Sequence, residues 1–259
     1  MAHIDEFPSD VYIDSWKAFR CESDEDDRVA TYILDSQFWP SKSDIRILDV
    51  GCGDGRIINR LMSYCDLGSV VLVDPDQQLL ADAKVLVTGK GKGAHVEAVN
   101  SVIGKDLLEE VGVDHDVIII VHMLYLIKDK EEFLGFLDAL PGGSRVFVVI
   151  DLEKSIFSTL WKVTAPKYYN RVVEYHEVIN DLNSELYSVT FGEITSSIPN
   201  PLALSLVVSE RVVSHMGYFN FADQEYHMRE NVKDILRKSL RGDRIYCYSA
   251  CYHIEKREC

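Results

Sequence analysis

Apolar residues in the first 150 positions follow two patterns, which are short continuous runs and segments with helical spacing. The apolar runs cover residues 45–50, 70–73, 116–121 and 145–150, and residues 96–99 alternate like a strand. Continuous runs of this length are typical of buried parallel strands. Segments such as Ile57 to Met62 and Leu79 to Leu86 lie between them and predict helices. The alternation predicts a doubly wound parallel sheet with right-handed crossovers, and ligands would bind over the carboxyl ends of its strands.

The pattern changes on either side of this region. Near the amino end, residues 10–20 have apolar side chains at helical spacing, and Ser23 followed by four acidic residues predicts the N-cap of a helix that reaches about Phe38. After residue 151 the predicted elements are two helices, two strand-like segments and a helical stretch between those segments. They cover Ser155 to Trp161, Val172 to Leu182, Leu186 to Ile194, 201–240 and Arg244 to Ile254. We expect the late strands to form an antiparallel edge of the sheet and 201–240 to form an inserted cap.

Charge and composition narrow the class of protein. The 259 residues have a formal net charge of −15, which should repel a nucleic acid backbone. No apolar run is long enough to span a membrane and no secretory signal is visible, so we expect a soluble, cytoplasmic protein without membrane or nucleic acid partners. The six cysteines lack metal-ligand spacing, which predicts reduced thiols and no metal site. The oligomeric state, monomer or homodimer, stays open.

A glycine-rich turn follows the first strand. In Ile45 to Arg56 the sequence I-R-I-L-D-V-G-C-G-D-G-R runs from a buried strand into a turn and then a helix. Glycines lack the Cβ atoms that would hold a ligand away, and a helix start offers free N–H groups. A dinucleotide-binding fingerprint is the nearest competitor, but Arg56 stands where its third glycine is required.

Two carboxylates support a sulfonium cofactor over a dinucleotide. Asp49, at the end of the first strand, would repel a pyrophosphate and attract an ammonium group. Asp74 ends the second strand at the distance where a carboxylate can bind both ribose hydroxyls. The ligand predicted from these residues is S-adenosylmethionine (SAM), which becomes S-adenosylhomocysteine (SAH) after transfer.

With L-D-V-G-C-G-D-G as the donor loop and V-D-P-D as the ribose corner, the chain resembles the class I SAM-dependent methyltransferases over most of its length. The resemblance implies an α/β, doubly wound Rossmann-like sheet of seven strands with a helical cap over the active edge. We expect a single domain, 1–259, with a helical lid (1–40), a donor-binding core (41–151) and a substrate-side region (152–259) that includes the cap near 201–240. The predicted donor-binding residues are Asp49, Gly51, Cys52, Gly53, Asp74, Pro75, Asn100, Ser101 and Val121.

A finer likeness points to the acceptor. The sequence H-M-L-Y-L-I-K-D from His122 resembles the Q-M-L-Y-Y-V-K-D of the histamine N-methyltransferases, and the likeness extends to Y-I-D-S-W-K-A-F near the amino end. It implies that Glu25 binds an amine, and that His122 and Cys247 stand where that family has a glutamine and an asparagine. Because of these two departures, the acceptor need not be histamine. The implied aromatic wall consists of Tyr12, Phe19, Tyr125, Phe157, Trp161 and Tyr168.

The residue at the end of the fourth strand leaves two reactions open. His122 could orient an acceptor nitrogen, or it could act as the general base for an attacking oxygen. We favour a small-molecule N-methyltransferase in which Glu25 and His122 are the catalytic residues. An O-methyltransferase with His122 as base and a SAM-binding protein without catalysis are the alternatives.

Overall fold

The structure is a computed structural model that describes residues 9–90, 93–218 and 220–258. In this part of the chain eight strands form one sheet in the order β3-β2-β1-β4-β5-β8-β6, and the short β7 pairs with β8. The strands are β1 (Ile45–Val50), β2 (Leu67–Val73), β3 (His95–Val99), β4 (Val117–Val121), β5 (Arg145–Asp151), β6 (Tyr187–Pro199), β7 (Leu240–Arg241) and β8 (Arg244–Lys256). The first five strands are parallel, whereas β8 and β6 are antiparallel at one edge. The predicted fold class is confirmed, and the two-residue β7 is the difference from the predicted seven strands.

Ten helices surround this sheet in the described residues. They are α1 (Ser9–Glu22), α2 (Glu25–Asp35), α3 (Arg56–Leu61), α4 (Gln77–Lys90), α5 (Leu107–Val111), α6 (Lys130–Ala139), α7 (Ile156–Thr164), α8 (Pro166–Asn180), α9 (Leu206–Gly217) and α10 (Tyr226–Ser239). No helix among the described residues is long and apolar enough to cross a membrane.

The strand interior explains the apolar runs. Alternate residues of β1 face opposite sides of the sheet, so that Ile47 belongs to one core and Leu48 to the other, and both are fully buried. Helices cover both faces, which leaves no polar face on the central strands. A third core lies beneath α9 and α10 and contains seven buried aromatic residues, among them Phe19, Phe157 and Trp161.

Two helix boundaries differ from the prediction. Helix α2 begins at Glu25 and ends at Asp35, because Ser36 is extended; the Ser23 hydroxyl lies outside the cap position and accepts a hydrogen bond from the Glu25 N–H at 3.1 Å. Helix α8 begins at Pro166, six residues before the predicted start, since proline is well suited to the first helical position.

The late elements are arranged as expected. Strands β6 and β8 pair along their whole length, and the 201–240 stretch forms α9 and α10 between β6 and β7. Helix α9 packs against α1 and α7. The amino-terminal helices and the cap therefore meet over the carboxyl ends of the parallel strands.

Candidate active site

Four neighbouring strands end in polar side chains at the same edge of the sheet. Asp49 lies in β1 beside Leu72 of β2, Asp74 follows β2, His122 follows β4, and Asp151 ends β5. Parallel pairing brings these carboxyl ends together. The sequence predicts that each of these positions lies at a strand end, but it predicts no role for Asp151.

A cavity of about 690 Å³ lies over this edge. We call its end at the glycine turn the donor end and its end beneath the amino-terminal helices and the cap the acceptor end, after the roles predicted from the sequence. Most predicted site residues line it, namely Tyr12, Phe19, Glu25, Asp49, Gly51, Cys52, Gly53, Asp74, Pro75, Ser101, Val121, His122, Tyr125, Phe157 and Tyr168. The fold thus brings together residues from α1, α2, the strand ends and α7.

Two side chains of the protein pack closely against the glycine turn. Gly51 has φ +73°, and a Cβ there would lie 2.7 Å from Met123 Cγ. Gly53 has φ +54°, and its Cβ would lie 2.9 Å from the Trp16 ring of α1. We had expected these glycines to admit a ligand; the structure shows that they also admit Met123 and Trp16. Neither contact had a signal in the local sequence.

Asp74 is held in place by the turn. Its two carboxylate oxygens accept hydrogen bonds from the Gly53 N–H at 2.9 Å and the Asp76 N–H at 2.8 Å. Asn100, predicted to bind the donor, lies outside the cavity wall and donates instead to the carbonyls of Asp74 and Pro75, both at 2.9 Å. Asn100 therefore stabilises the backbone around Asp74 from outside the cavity.

Asp49 is buried and incompletely paired. Its side chain lines the cavity, and Oδ2 has no hydrogen-bond partner among the described residues. Burial, followed by the charge of Asp74, raises the pKa of Asp49 to about 7 against an opposing effect of Arg20. A ligand cation at this position would relieve both the desolvation and the repulsion.

At the acceptor end, His122 lies between two carboxylates. Its Nε2 is 3.3 Å from Glu25 Oε1, and its Nδ1 is 3.4 Å from Asp151 Oδ2. Burial alone would lower the pKa of His122, but the charges of Glu25 and Asp151 raise it to about 10. Burial would raise the pKa of Glu25, but His122 and Arg20 lower it to about 2. The pKa shifts therefore favour a buried imidazolium beside an ionised Glu25.

The His122 backbone is also unusual. Its φ of +52° is left-handed, and its N–H donates to the Val149 carbonyl at 2.8 Å. This conformation is uncommon for a residue with a Cβ atom, although histidine adopts it more often than most. It turns the ring from the end of β4 toward Glu25.

These contacts argue against His122 as a general base. A base needs an unprotonated nitrogen that can reach the attacking atom. Each ring nitrogen of His122 lies within 3.4 Å of a carboxylate oxygen, although Nε2 makes no hydrogen bond among the described residues, and the raised pKa favours the protonated ring at neutral pH. The raised pKa disfavours the base role, and the orienting role stays a prediction.

The ion pairs continue beyond Glu25. Arg20 lies 4.0 Å from Glu25 Oε2 and makes an ion pair with Asp26. Groups of opposite formal charge therefore alternate from Asp26 through Arg20, Glu25 and His122 to Asp151, and the formal charges of the five groups, with His122 as imidazolium, sum to −1. Arg20 and Asp26 had no recognisable role in the sequence.

Aromatic side chains form the rest of the acceptor end. Phe19 meets Phe157 edge to face at a centroid distance of 5.1 Å, and Tyr125 meets Trp161 in the same way at 4.9 Å. Trp161 and Cys247 were predicted to contact the acceptor, but both lie outside the cavity wall and are buried behind it. Both side chains belong to the third core, behind the residues that line the cavity.

His215 of α9 is a cavity residue that sequence reasoning missed. It is 9% exposed, and its ring packs against Phe19 at a centroid distance of 4.9 Å. Burial lowers its pKa to about 3 despite the charge of Glu25, so the ring is neutral. Its position depends on how the cap folds over α1, which no local pattern near residue 215 indicates.

One family model matches the part of the chain that contains the glycine turn. Residues 47–139, less than half of the chain, match the family model described as a methyltransferase domain. They extend from β1 through α6 and include Asp49, the glycine turn, Asp74 and His122. No curated protein matches the sequence.

Solved structures of methyltransferases have a similar fold. The plantazolicin methyltransferase BamL, crystallised with a triazolic desmethylPZN analog and SAH, is 17% identical, with a TM-score of 0.55 over 95% of this chain and 90% of its own. A putative methyltransferase from Bacillus halodurans C-125 is 10% identical, with a TM-score of 0.59 over 89% of this chain and 99% of its own. The plantazolicin methyltransferase BpumL, in complex with SAH, is 16% identical, with a TM-score of 0.56 over 99% and 93%.

At these identities the likeness is one of fold. Together with the family match it supports a SAM-dependent methyltransferase, and the SAH in the neighbouring structures agrees with the predicted cofactor. The closer resemblance to the histamine N-methyltransferases is not shown by these comparisons and stays a prediction.

Proposed function

We propose that this protein transfers the methyl group of SAM to a nitrogen atom of a small amine or imidazole-like metabolite. The observation that carries the proposal is the shared cavity, which joins a donor end of glycine turn and carboxylates to an aromatic acceptor end with a buried carboxylate.

The donor end has the groups that SAM requires. The unpartnered Oδ2 of Asp49 would bind the donor's ammonium group, since a buried carboxylate needs a charged partner. Asp74, fixed by two backbone N–H groups, would bind the ribose hydroxyls with its remaining lone pairs. When bound, SAM supplies an electrophilic methyl group on a sulfonium.

The acceptor end suits a small cation or NH-bearing molecule. Glu25 is ionised and lines the cavity, and the ion-paired groups around it have one net negative charge. Tyr12, Phe19, Tyr125, Phe157 and Tyr168 surround that charge with aromatic faces, which favour cations and flat ligands. His122 holds Glu25 in place as an imidazolium.

Nitrogen is favoured over oxygen as the attacking atom. An attacking hydroxyl needs a general base, and His122 is protonated at neutral pH. An amine in its free-base form has a lone pair and needs only to be held in line with the methyl group, with water excluded.

A variant of Glu25 tests the acceptor site. In Glu25→Gln we expect the KM for an amine acceptor to rise about tenfold or more, since a hydrogen bond to a charged group contributes about 1.5 to 3 kcal/mol. Affinity for SAH, measured by calorimetry, should change little because the donor end is intact. Asp27→Asn is the matched control, since Asp27 is in the same helical turn but pairs with Arg60 at 3.0 Å, outside the cavity wall.

A product screen separates the alternatives. The wild-type protein is incubated with SAM and a panel of primary amines, imidazoles and phenols, and mass spectrometry identifies each compound that gains a methyl group. Methylated amines or imidazoles support the proposal. Methylated phenols alone would select O-methylation, and tight SAH binding without any product would select a non-catalytic SAM-binding protein.

A further inference from the structure

The cap histidine, His215, has the properties of a ligand contact. It is nine-tenths buried and lines the cavity, between Phe19 at 4.9 Å, Phe157 at 5.8 Å and Tyr12 at 5.9 Å, as measured between ring centroids. Its Nδ1 atom has no hydrogen-bond partner among the described residues. Leaving a buried polar atom unpaired costs about 1 to 3 kcal/mol. A polar group of a ligand bound in the adjoining cavity could pair with this nitrogen.

His215 and His122 differ in their state of charge. His122 is fixed between two carboxylates, whereas the ring of His215 is surrounded by aromatic faces and is neutral. The charged groups that act on His215 are Glu25, Arg20 and His122, all at the same end of the cavity. A neutral imidazole has a nitrogen that can accept a hydrogen bond, and an imidazolium has none.

Two such acceptors would fix the orientation of a nitrogen nucleophile. A primary amine in its free-base form has two N–H bonds and one lone pair, so fixing both N–H bonds also fixes the direction of the lone pair. Glu25 can accept one of them. Precise alignment of the lone pair with the methyl group is a large part of catalysis in a displacement reaction.

We propose that His215 binds the methyl acceptor together with Glu25. In the tautomer with the proton on Nε2, its Nδ1 accepts a hydrogen bond from one acceptor N–H while the Glu25 carboxylate accepts from the other. The inference rests on the proposed function and adds the class of acceptor, which is a primary amine attached to a flat or aromatic group.

The reaction is balanced without a proton acceptor on the protein. The ammonium form of the acceptor loses its third proton to solvent before attack. The nitrogen lone pair then forms the N–C bond as the C–S bond breaks, and the electron pair of that bond stays on sulfur. The product leaves as a secondary ammonium that keeps both N–H protons, and SAH leaves uncharged at sulfur.

Three substitutions at His215 separate hydrogen bonding from packing. His215→Phe keeps an aromatic ring but removes the nitrogen. His215→Asn places an amide oxygen near the position of Nδ1, and His215→Gln places its amide farther out. His227→Phe is the control, because it makes the same change at an exposed position in α10 of the cap.

The assay uses SAM with tyramine, phenethylamine, tryptamine and histamine, and with the N-methyl derivative of each methylated primary amine. In His215→Phe we expect kcat/KM for a primary amine to fall about tenfold, the value of one lost hydrogen bond. SAH affinity should stay unchanged, and the preference for the primary over the N-methyl amine should disappear. His215→Asn should retain most of the wild-type rate, His215→Gln should not, and His227→Phe should match the wild type.

The outcomes distinguish the two proposals. If the wild-type protein methylates no amine or imidazole, the proposed function is overturned and this inference with it. If the wild type methylates a primary amine and His215→Phe keeps its kcat/KM and selectivity, only the role of His215 is overturned. If His215→Phe fails to bind SAH, the comparison of His215→Asn with His215→Gln decides: equal rates in those two variants overturn the role.

Discussion

Asp49 and Asp74 are neighbouring carboxylates that differ in their hydrogen bonds. Asp74 accepts two backbone hydrogen bonds, whereas Asp49 Oδ2 has no partner in the described part of the chain. Burial and the charge of Asp74 therefore raise the pKa of Asp49 to about 7, with Arg20 acting in the opposite direction. A bound ammonium group would favour the ionised form and lower that pKa again. Donor binding should then release a proton near neutral pH.

Donor affinity is therefore expected to depend on pH. Because SAH binds the ionised form of Asp49, its affinity should fall as the pH falls through 7, by about tenfold between pH 8 and pH 6. Calorimetric titration with SAH at several pH values measures this change. In Asp49→Asn the affinity should be weaker at pH 8 and nearly independent of pH. Equal pH dependence in the variant and the wild type would assign the titration to another group.

Helix α1 packs over the glycine turn that follows β1. Trp16 packs on Gly53, and Lys17 bonds Asp82 of α4 at 2.8 Å. The N–H of Gly53 is also one of the two donors that hold Asp74. The position of α1, the shape of the glycine turn and the ribose-binding carboxylate are therefore coupled at one residue.

The substitution Gly53→Ala tests this coupling. The new Cβ would lie 2.9 Å from the Trp16 ring on a left-handed backbone, so we expect overpacking to cost about 1 to 3 kcal/mol beyond the backbone strain. Chemical denaturation and SAH calorimetry measure the two effects, and SAH affinity should fall strongly.

Gly242→Ala is the matched control for Gly53→Ala. Gly242, in the turn between β7 and β8, has φ +66° but no described atom within 4 Å of a Cβ, so it has a positive φ without the clash. Left-handed backbone costs a non-glycine residue about 1 to 2 kcal/mol. Equal losses of stability in the two variants, with intact SAH binding, would show that Trp16 does not constrain the loop.

The parallel strands and their ends could be predicted from the sequence. Buried parallel strands have continuous apolar runs, and their ends share one edge, so Asp49, Asp74 and His122 were found without coordinates. Glu25 and the wall residues came from resemblance to a family. The two late strands were recognised by their strand-like pattern.

Other site residues depend on tertiary packing. Arg20, Trp16 and His215 lie on helices whose apolar faces predict burial but not the element they pack against. Trp161 and Cys247 show the converse, because an aligned position does not decide whether a side chain lines the cavity or lies behind it. His122 was located correctly, but its protonation depends on Glu25 and Asp151, which are distant in sequence.

At the scale of the whole molecule, His122 joins three parts of the chain. Glu25 belongs to the amino-terminal helices, His122 follows the central strand β4, and Asp151 ends β5. Without the imidazolium, two buried carboxylates would face each other, and of these two Arg20 lies beside Glu25 at 4.0 Å. Breaking a buried ion pair by removing one partner typically costs about 3 to 5 kcal/mol.

His122→Asn should therefore lower the free energy of unfolding by about 3 kcal/mol at pH 7. Asparagine tolerates the left-handed backbone of this position, so the loss reports mainly on charge. The pKa of His122 is raised from its ordinary value to about 10. The stabilisation that protonated His122 provides is complete at a pH below the pKa of histidine in the unfolded chain. This stabilisation is lost as the pH rises through 10.

The difference in stability between wild type and His122→Asn should accordingly shrink as the pH rises from 7 to 10, as urea denaturation at each pH would measure. His227→Asn, at an exposed position, should show no such pH-dependent difference. Adding Glu25→Gln to His122→Asn should recover part of the loss, because it removes one of the two facing carboxylates. A difference that stays constant up to pH 10 would mean that His122 is neutral in the folded protein, and the general-base mechanism with an oxygen acceptor would again be open.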